Sequence, residues 1–593
     1  MPWYKLTVAA ISTPHHAGRE FFTAPAQVNQ RRYEALRAYY AEDLTLAVAG
    51  QRFGYTRSTM ASLVRDFRAG RLDLFTPPGK PGRKGAPATD RARGRVIELR
   101  RQGLSVHEIS RKLAAEATPL NRTSVGHILT EEGFGRLLRG PARKASVNPA
   151  TAGRDTRLPR VASIDFTEAP DTANTSRAGL LLLLPDLLTL DLPSLVTAAG
   201  YPGTRTVPAI SWICSLLALK LTNTRRVSHV DDLLCDPGAA LFAGLQTLPK
   251  KSALSDYSHR LTHDHQRQLL SALDRSMIGS GLATAEQAIF DLDFHAVMHW
   301  GQDPVLEKHY VPTRSQRARS VLTFFAQDTG THNLVYANAD ISKATQNREA
   351  VAFCDHWKSV SGADPHMLVM DQKVTTHTVL GELDKRGVKF LTLRMRSPAL
   401  MAYINGLTPA DYKTITLDRA GNHTKPKVHE TTGVKLTGYP GTVRQLIVTG
   451  LGHDTPTVII TNDHTTAMKA LLARYARRMT IEQRLAEIIR AFHLDALSST
   501  VNLNVDLDVV LCVLAQAVTA AFRTHLGGGY TTVTPDVLQR RFLQTPGEIT
   551  NSDDTTTIRI DRRAYSPVLR HAELPTDVVV PWWGNRRLHY EYA

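Results

Sequence analysis

The clearest periodicity in the chain runs from Ala288 to Val297. Apolar Phe290, Leu292 and Phe294 alternate there with polar Asp291, Asp293 and His295, the two-residue period of a strand with unlike faces. Two more strands are predicted at Ser320–Ala326 and Asn333–Ala337, joined as a hairpin around Asp328 and Gly330. A helical pattern from Asn347 to Val360 follows, then the wholly apolar Met367–Met370 ending at Asp371, a helix from Thr375 to Lys385 and a strand from Val388 to Leu393. The resulting order is β-β-β-α-β-α-β. Farther on, Arg474–Phe492 contains neither Gly nor Pro and is rich in good helix formers, so it predicts one helix, with capping groups at Thr461–Asp463 ahead of it.

The flanking patterns differ. Tyr403–Thr461 is dense in Thr, Val, Gly and Lys and reads as strands, notably Val443–Val448 and Thr457–Ile460, while Val505–Leu526 predicts an apolar helix that packs on the sheet. Residues 161–282 are Leu-rich and read as a mostly helical bridging or dimerisation region. The tail holds short strand-like runs at Thr557–Asp561 and Val578–Trp583. In the amino-terminal part, a helix over Leu44–Phe53, a turn at Gly54 and a helix over Thr56–Phe67 form a helix-turn-helix pattern. A second copy follows in Arg93–Arg101, Ser105–Leu113 and Asn121–Leu129. The domains expected are thus a helix-turn-helix module (1–72), a basic Pro/Gly linker (73–90), a second module (91–140), a linker (141–160), the helical region (161–282), a core split over 283–402 and 462–526, a β-rich insertion (403–461) and a carboxy-terminal region (527–593).

Charge identifies the partner class. The 593 residues carry a net charge of +17, which points to a polyanion. Between Arg65 and Arg101 eleven Lys and Arg face four acids, and the Pro/Gly-rich segment there presents Arg83 and Lys84 as a short basic arm suited to a minor groove. Arg57 opens the second helix of the first module, and Arg122, Thr123 and Ser124 open the last helix of the second, where early residues reach base edges. Membrane is the poorer partner: the apolar run Leu180–Leu195 is interrupted by Pro185, Asp186, Asp191 and Pro193. No secretory start is read at Met1–Lys5, and the widely spaced Cys214, Cys235, Cys354 and Cys512 are expected as buried thiols in a reducing cytoplasm. His263 and His265 are read as helix polarity rather than a metal cluster.

The candidate chemistry lies in three acids from distant segments. On a helix, Tyr475, Arg478 and Glu482 are related by i, i+3 and i+7, so a phenol, a guanidinium and a carboxylate share one face. Asp371 ends a buried strand, a frequent active-site position in α/β sheets. Like charges along one strand face repel, and a divalent cation relieves them. Together Asp293, Asp371 and Glu482 suggest a two-metal phosphoryl-transfer site, with Asp291 as the alternative first ligand. Mg²⁺ prefers such oxygen ligands, two ions would act, and Mn²⁺ would substitute.

These residues resemble those of the DDE transposases of bacterial insertion sequences that carry a Tyr-x2-Arg-x3-Glu motif. The motif is matched at Tyr475, Arg478 and Glu482. The first family Asp maps to Asp293 or, alternatively, Asp291, and the second to Asp371, at intervals of 78 and 111 residues, the longer holding the β-rich insertion. The Lys often found seven residues after the Glu is Ile489 here, which leaves Arg490 or Arg484 to make that phosphate contact.

The resemblance implies a multidomain protein: α-helical helix-turn-helix modules, then an α/β RNase H-like catalytic core with a β-rich insertion. It implies a bacterial, cytoplasmic and nucleoid-associated enzyme that binds terminal inverted repeats and target DNA as a homodimer in a synaptic complex. Cleavage and strand transfer would run by direct in-line attack. Tyr475 and Arg478 would hold a DNA phosphate. Two alternatives stand beside this: a domesticated transposase that only binds DNA, and a related RNase H-like nuclease.

Overall fold

The computed structural model describes residues 25, 27–70, 72, 74, 92, 94–99, 104, 106–116, 118–131, 160–298, 307–311, 316–372, 374–419, 422–450, 455–495 and 502–593. Arg83, Lys84 and the 73–90 linker except Leu74, like the 141–160 linker except Arg160, lie outside them. The chain divides into two compact units, residues 1–154 and 155–593.

The smaller unit contains two helical groups, each with its own core. In the first, α1 (Val28–Ala41), α2 (Leu46–Arg52) and α3 (Arg57–Arg68) bury Leu36, Ala49, Phe53, Met60, Leu63 and Val64 together. Thr45 and Thr56 cap α2 and α3 through their hydroxyls, and Gly54 makes the intervening turn at φ +73°, a torsion that a Cβ disfavours. Glu42 then ties Arg37 of α1 to Arg52 of α2 at 2.7 and 2.6 Å. The second group joins helical residues 94–99 to α4 (Val106–Ala115) and α5 (Arg122–Glu131) around Val96, Leu99, Ile109, Leu113, Val125 and Ile128. Arg95 bridges to Glu116 at 2.6 Å.

The larger unit is mixed α/β. Its main sheet runs β3 (Lys308–Val311), β4 (Gln316–Asp328), β2 (Ile289–Met298), β6 (Met367–Met370), β7 (Lys389–Leu393), β13 (Thr457–Thr461), β12 (Thr442–Thr449), β11 (Lys427–Lys435) and β8 (Lys413–Thr414). β5 (Leu334–Asn338) also pairs with β4. β2 is antiparallel to β4 and parallel to β6, and β6 is parallel to β7. The β-rich segment is therefore no separate lobe. β13 pairs antiparallel with β7, Ile459 opposite Leu393, and covers an edge that would otherwise expose unpaired backbone groups.

The helices of this unit are α6 (Leu184–Thr189), α7 (Leu192–Ala198), α8 (Ala209–Leu221), α9 (Pro237–Phe242), α10 (Lys251–Ser258), α11 (His263–Gly279), α12 (Glu349–Ser361), α13 (His377–Lys385), α14 (Pro398–Asn405), α15 (Met468–Arg477), α16 (Met479–Phe492), α17 (Asn502–Leu526), α18 (Pro535–Leu538) and α19 (Ser566–Ala572). Residues 161–282, the central strands and the tail share one hydrophobic core reaching from Ala178 to Tyr590. The tail strands β14 (Gly547–Asn551), β15 (Thr555–Ile560), β16 (Val578–Val580) and β17 (Arg586–Tyr592) form a second sheet with β1 (Thr172–Thr175), whose Thr172 lies opposite Thr550. Among the described residues one helical stretch, Val505–Leu526, is long and apolar enough to cross a membrane, and it is buried in this core.

Two sequence expectations need correction. The single helix expected over Arg474–Phe492 starts at Met468 and is interrupted at Arg478. The torsions there stay helical (φ −52°, ψ −31°), but Arg478 N and Ile481 N bond the carbonyls of Tyr475 and Arg478, three residues back, in a tightened turn. The second concerns the thiols. Cys214, Cys354 and Cys512 are buried, but Cys235 is exposed because it lies on the surface turn before α9.

Candidate active site

The register of the central sheet fixes the first two acids. In the parallel β2–β6 pair Leu292 lies opposite Met370, so the next residues along, Asp293 and Asp371, come side by side on neighbouring strands about 5 Å apart. The Asp293 carboxylate accepts from Phe294 N at 2.9 Å, and that of Asp371 accepts from Gln372 N at 2.8 Å. Thr392 Oγ1 of β7 donates to the Asp371 carbonyl at 3.3 Å, which steadies the strand end.

The third acid arrives on α16. Glu482 stands in its first turn with the side chain 44% exposed, and its Oε1 accepts from Arg478 Nη2 at 2.8 Å. Arg478 Nη1 lies 3.7 Å from Asp293 Oδ2 and has no hydrogen-bond acceptor among the described residues. The guanidinium, buried at the break between α15 and α16, thus faces all three acids and the Tyr475 phenol. Burial pushes the Asp293 carboxyl up to about 6; Arg478 opposes this, while Glu482 and Asp371 add to it. The Tyr475 hydroxyl is pushed up to about 12, again chiefly by burial.

Asp291 occupies a different setting on the same strand face. It is 1% exposed, pairs with Arg474 Nη2 at 3.1 Å and lies 3.5 Å from Thr480 Oγ1. Burial pushes its carboxyl up to about 6 despite Arg474, and burial also lowers Arg474. Asp291 is thereby held by its own cation, whereas Asp293 shares Arg478 with Glu482. His295, next on this face, has a buried Nε2 bonded to no protein group among the described residues, and burial lowers its pKa.

The far end of α16 is fixed from two sides. Lys220 Nζ of α8 donates to the Phe492 carbonyl at 3.1 Å while pairing with Asp508 at 2.6 Å. Gln539 Nε2 donates to the Ala491 carbonyl at 2.9 Å. His493, in the left-handed region at φ 54°, ends the helix. Arg490 is exposed in its last turn, about 12 Å along the axis from Glu482, and so stands apart from the acids.

The donors Asp293, Asp371 and Glu482 are all carboxylates, and they fit a hard divalent cation such as Mg²⁺. Among the described residues, however, no three His, Cys, Asp or Glu side chains close on one ligating point. Arg478 stands among these acids, its guanidinium providing their positive charge.

In the smaller unit Arg57 is the exposed first residue of α3, while Arg122 and Thr123 are exposed and Ser124 half-buried in the first turn of α5. Asn121 Oδ1 accepts from Ser124 N at 2.7 Å, capping that helix. Sequence reasoning had not found the Asp291–Arg474 pair or the roles of Lys220 and Gln539. For the first, the spacing of Arg474 and Arg478, one helical turn apart, matching Asp291 and Asp293 on one strand face, was the available signal.

No protein-family model matches the chain, and no curated protein matches it significantly.

Proposed function

We propose that the protein is a DDE transposase of the Tyr-x2-Arg-x3-Glu kind, with an RNase H-like core and two amino-terminal helix-turn-helix modules that read the ends of its own element. The observation carrying this reading is the adjacency of Asp293 and Asp371 across the parallel β2–β6 pair, with Arg478 at the α15–α16 break beside Asp293 and bonded to Glu482 of α16. The order β2-β4-β5-α12-β6-α13-β7 around that pair, with the short extra strand β3 inserted after β2, supports the core assignment, and the exposed first turns of α3 and α5 support DNA reading by Arg57, Arg122 and Thr123.

Asp293, Asp371 and Glu482 would hold the divalent cations. When bound, Mg²⁺ or Mn²⁺ supplies Lewis-acid activation of the attacking oxygen and stabilisation of the leaving one. Arg478, which offsets part of the charge of these acids, would grip a phosphate with Nη1, an N–H donor that has no hydrogen-bond acceptor among the described residues. Tyr475, its hydroxyl raised by burial to about 12, is even less available as a phenolate nucleophile than an ordinary tyrosine. That favours direct in-line attack, first by water and then by the freed 3′-hydroxyl, over a covalent tyrosyl intermediate. The positive charge of +17 supports double-stranded DNA as partner.

The test is cleavage of a labelled duplex carrying the element ends. Asp371→Asn should retain end binding and lose Mg²⁺-dependent cutting by more than about 10³-fold, on the scale of removing a group that acts in the transition state. Undiminished cutting by Asp371→Asn would exclude this site as the catalytic one.

A further inference from the structure

The α15–α16 pair has a second charged stripe. Arg477, Thr480, Arg484 and Glu487 recur at i, i+3, i+7 and i+10, and on a helix this stripe is turned well away from the face of Tyr475, Arg478 and Glu482. It meets the tip of the β4–β5 hairpin: Thr480 Oγ1 lies 3.5 Å from Gln327 Oε1, and Gln327 Nε2 donates to the His332 carbonyl at 3.0 Å. Arg474 borders it through Asp291. From α17, Arg523 lies within electrostatic reach of Arg484 and Glu487.

Acids do not balance these cations. Asp291 is taken by Arg474, and Glu487 by Arg484 at 2.6 Å. The nearby Asp328 carboxylate accepts from Thr284 N, Gly330 N and Thr331 Oγ1 at 2.8 to 2.9 Å, and its one charge leaves four arginines facing three acids. Arg523, only 7% exposed, has the Val533 carbonyl as its acceptor at 3.3 Å and no carboxylate partner among the described residues. Its Nε, and those of Arg474 and Arg484, are buried without a protein acceptor among them. Burial and the neighbouring Arg484 bring Arg523 down to about 10, and burial, then Arg484, lowers His332. Exposed Arg477 adds a further charge beside Arg474 and His332. Neighbouring, under-neutralised guanidiniums whose Nε–H groups lack a protein acceptor among the described residues match a phosphate diester, which offers oxygen acceptors and the missing negative charge.

We propose that Arg474, Arg477, Arg484, Arg523 and His332 form a second phosphate site, distinct from the Arg478 cluster, which holds the backbone of bound DNA at a phosphodiester other than the reacting one. The assignment to DNA rests on the transposase reading; the anion site itself does not.

The test uses the full chain with Arg477→Gln and Arg477→Gln/His332→Asn, both altering side chains at or near the surface, and measures affinity for a labelled duplex from 50 to 300 mM KCl. Wild-type unfolding temperatures establish that each variant is folded. Arg477→Gln should weaken binding about 3- to 10-fold at 100 mM salt and reduce the slope of log affinity against log salt by about 0.9, as loss of one phosphate contact requires. The double variant should weaken it further. Unchanged affinity and slope in both variants would overturn the site. Absence of Mg²⁺-dependent cutting by the wild type, with the slope difference intact, would instead remove the transposase reading and leave the site standing.

Discussion

Two residues apart on β2, Asp291 and Asp293 meet different neighbours: the first an arginine of its own, the second a guanidinium shared with Glu482 and set beside Asp371. We expect Asp291→Asn to cut element ends within about tenfold of wild type and Asp293→Asn to lose more than about 10³-fold, read in parallel cleavage assays. The reverse order would make Asp291 the first ligand. A pH effect follows from the Asp293 carboxyl at about 6. Because the folded state holds this proton more tightly than the unfolded chain, whose carboxyl titrates near 4, stability falls as pH rises from about 4 to about 6 and stays lower above. In EDTA, Asp293→Asn should therefore be more stable than wild type by about 1–3 kcal/mol at pH 7.5 and indistinguishable at pH 4, measured by thermal unfolding. An equal difference at both pH values would refute that linkage. The alternation around Asp291 and Asp293 was legible because strand period depends on sequence alone. Which of the two would meet the other acids was not, since the Arg474–Asp291 contact spans 183 residues.

At the scale of elements, the strands were the most legible part, Met367–Met370 matching to the residue, because a fully buried strand is written as an uninterrupted apolar run. The break at Arg478 was invisible: nothing in the composition of 474–492 interrupts a helix, and tertiary pairing of Arg478 with Asp293 accompanies the tightened turn. Equally hidden was the continuation of the sheet through β13, which depends on a free edge at β7. Another long-range fit is testable. Gly179, in the 3-10 turn Ala178–Leu183, lies against the π-helical turn Gln539–Leu543, where an added Cβ would collide with the Phe542 carbonyl. Gly179→Ala should cost about 3 kcal/mol, seen as a lower midpoint in chemical denaturation, and a wild-type midpoint would show that these turns separate freely.

For the whole molecule, the division at residue 154 and the continuous core from Ala178 to Tyr590 make residues 155–593 a self-contained folding unit. Expressed alone, that fragment should unfold cooperatively and lose the preference for element ends over random duplex, measured by competition binding. Retained preference would move DNA reading out of the amino-terminal modules. Sequence composition predicted a linker at 141–160, beside this boundary, because Pro, Gly and basic residues do not build a core, but it separated 161–282 and the tail from the central sheet, since the β1–β14 pairing joins residues nearly 400 positions apart. The most direct measurement of the central proposal is strand joining: purified protein, a labelled duplex carrying the element ends and a supercoiled target plasmid, in Mg²⁺ or EDTA, with wild type or Glu482→Gln. Joined product in Mg²⁺ alone, abolished in Glu482→Gln, is the expected result. Tight end binding with neither cleavage nor joining in Mg²⁺ or Mn²⁺ would contradict it and identify a DNA-binding protein built on a silent catalytic fold.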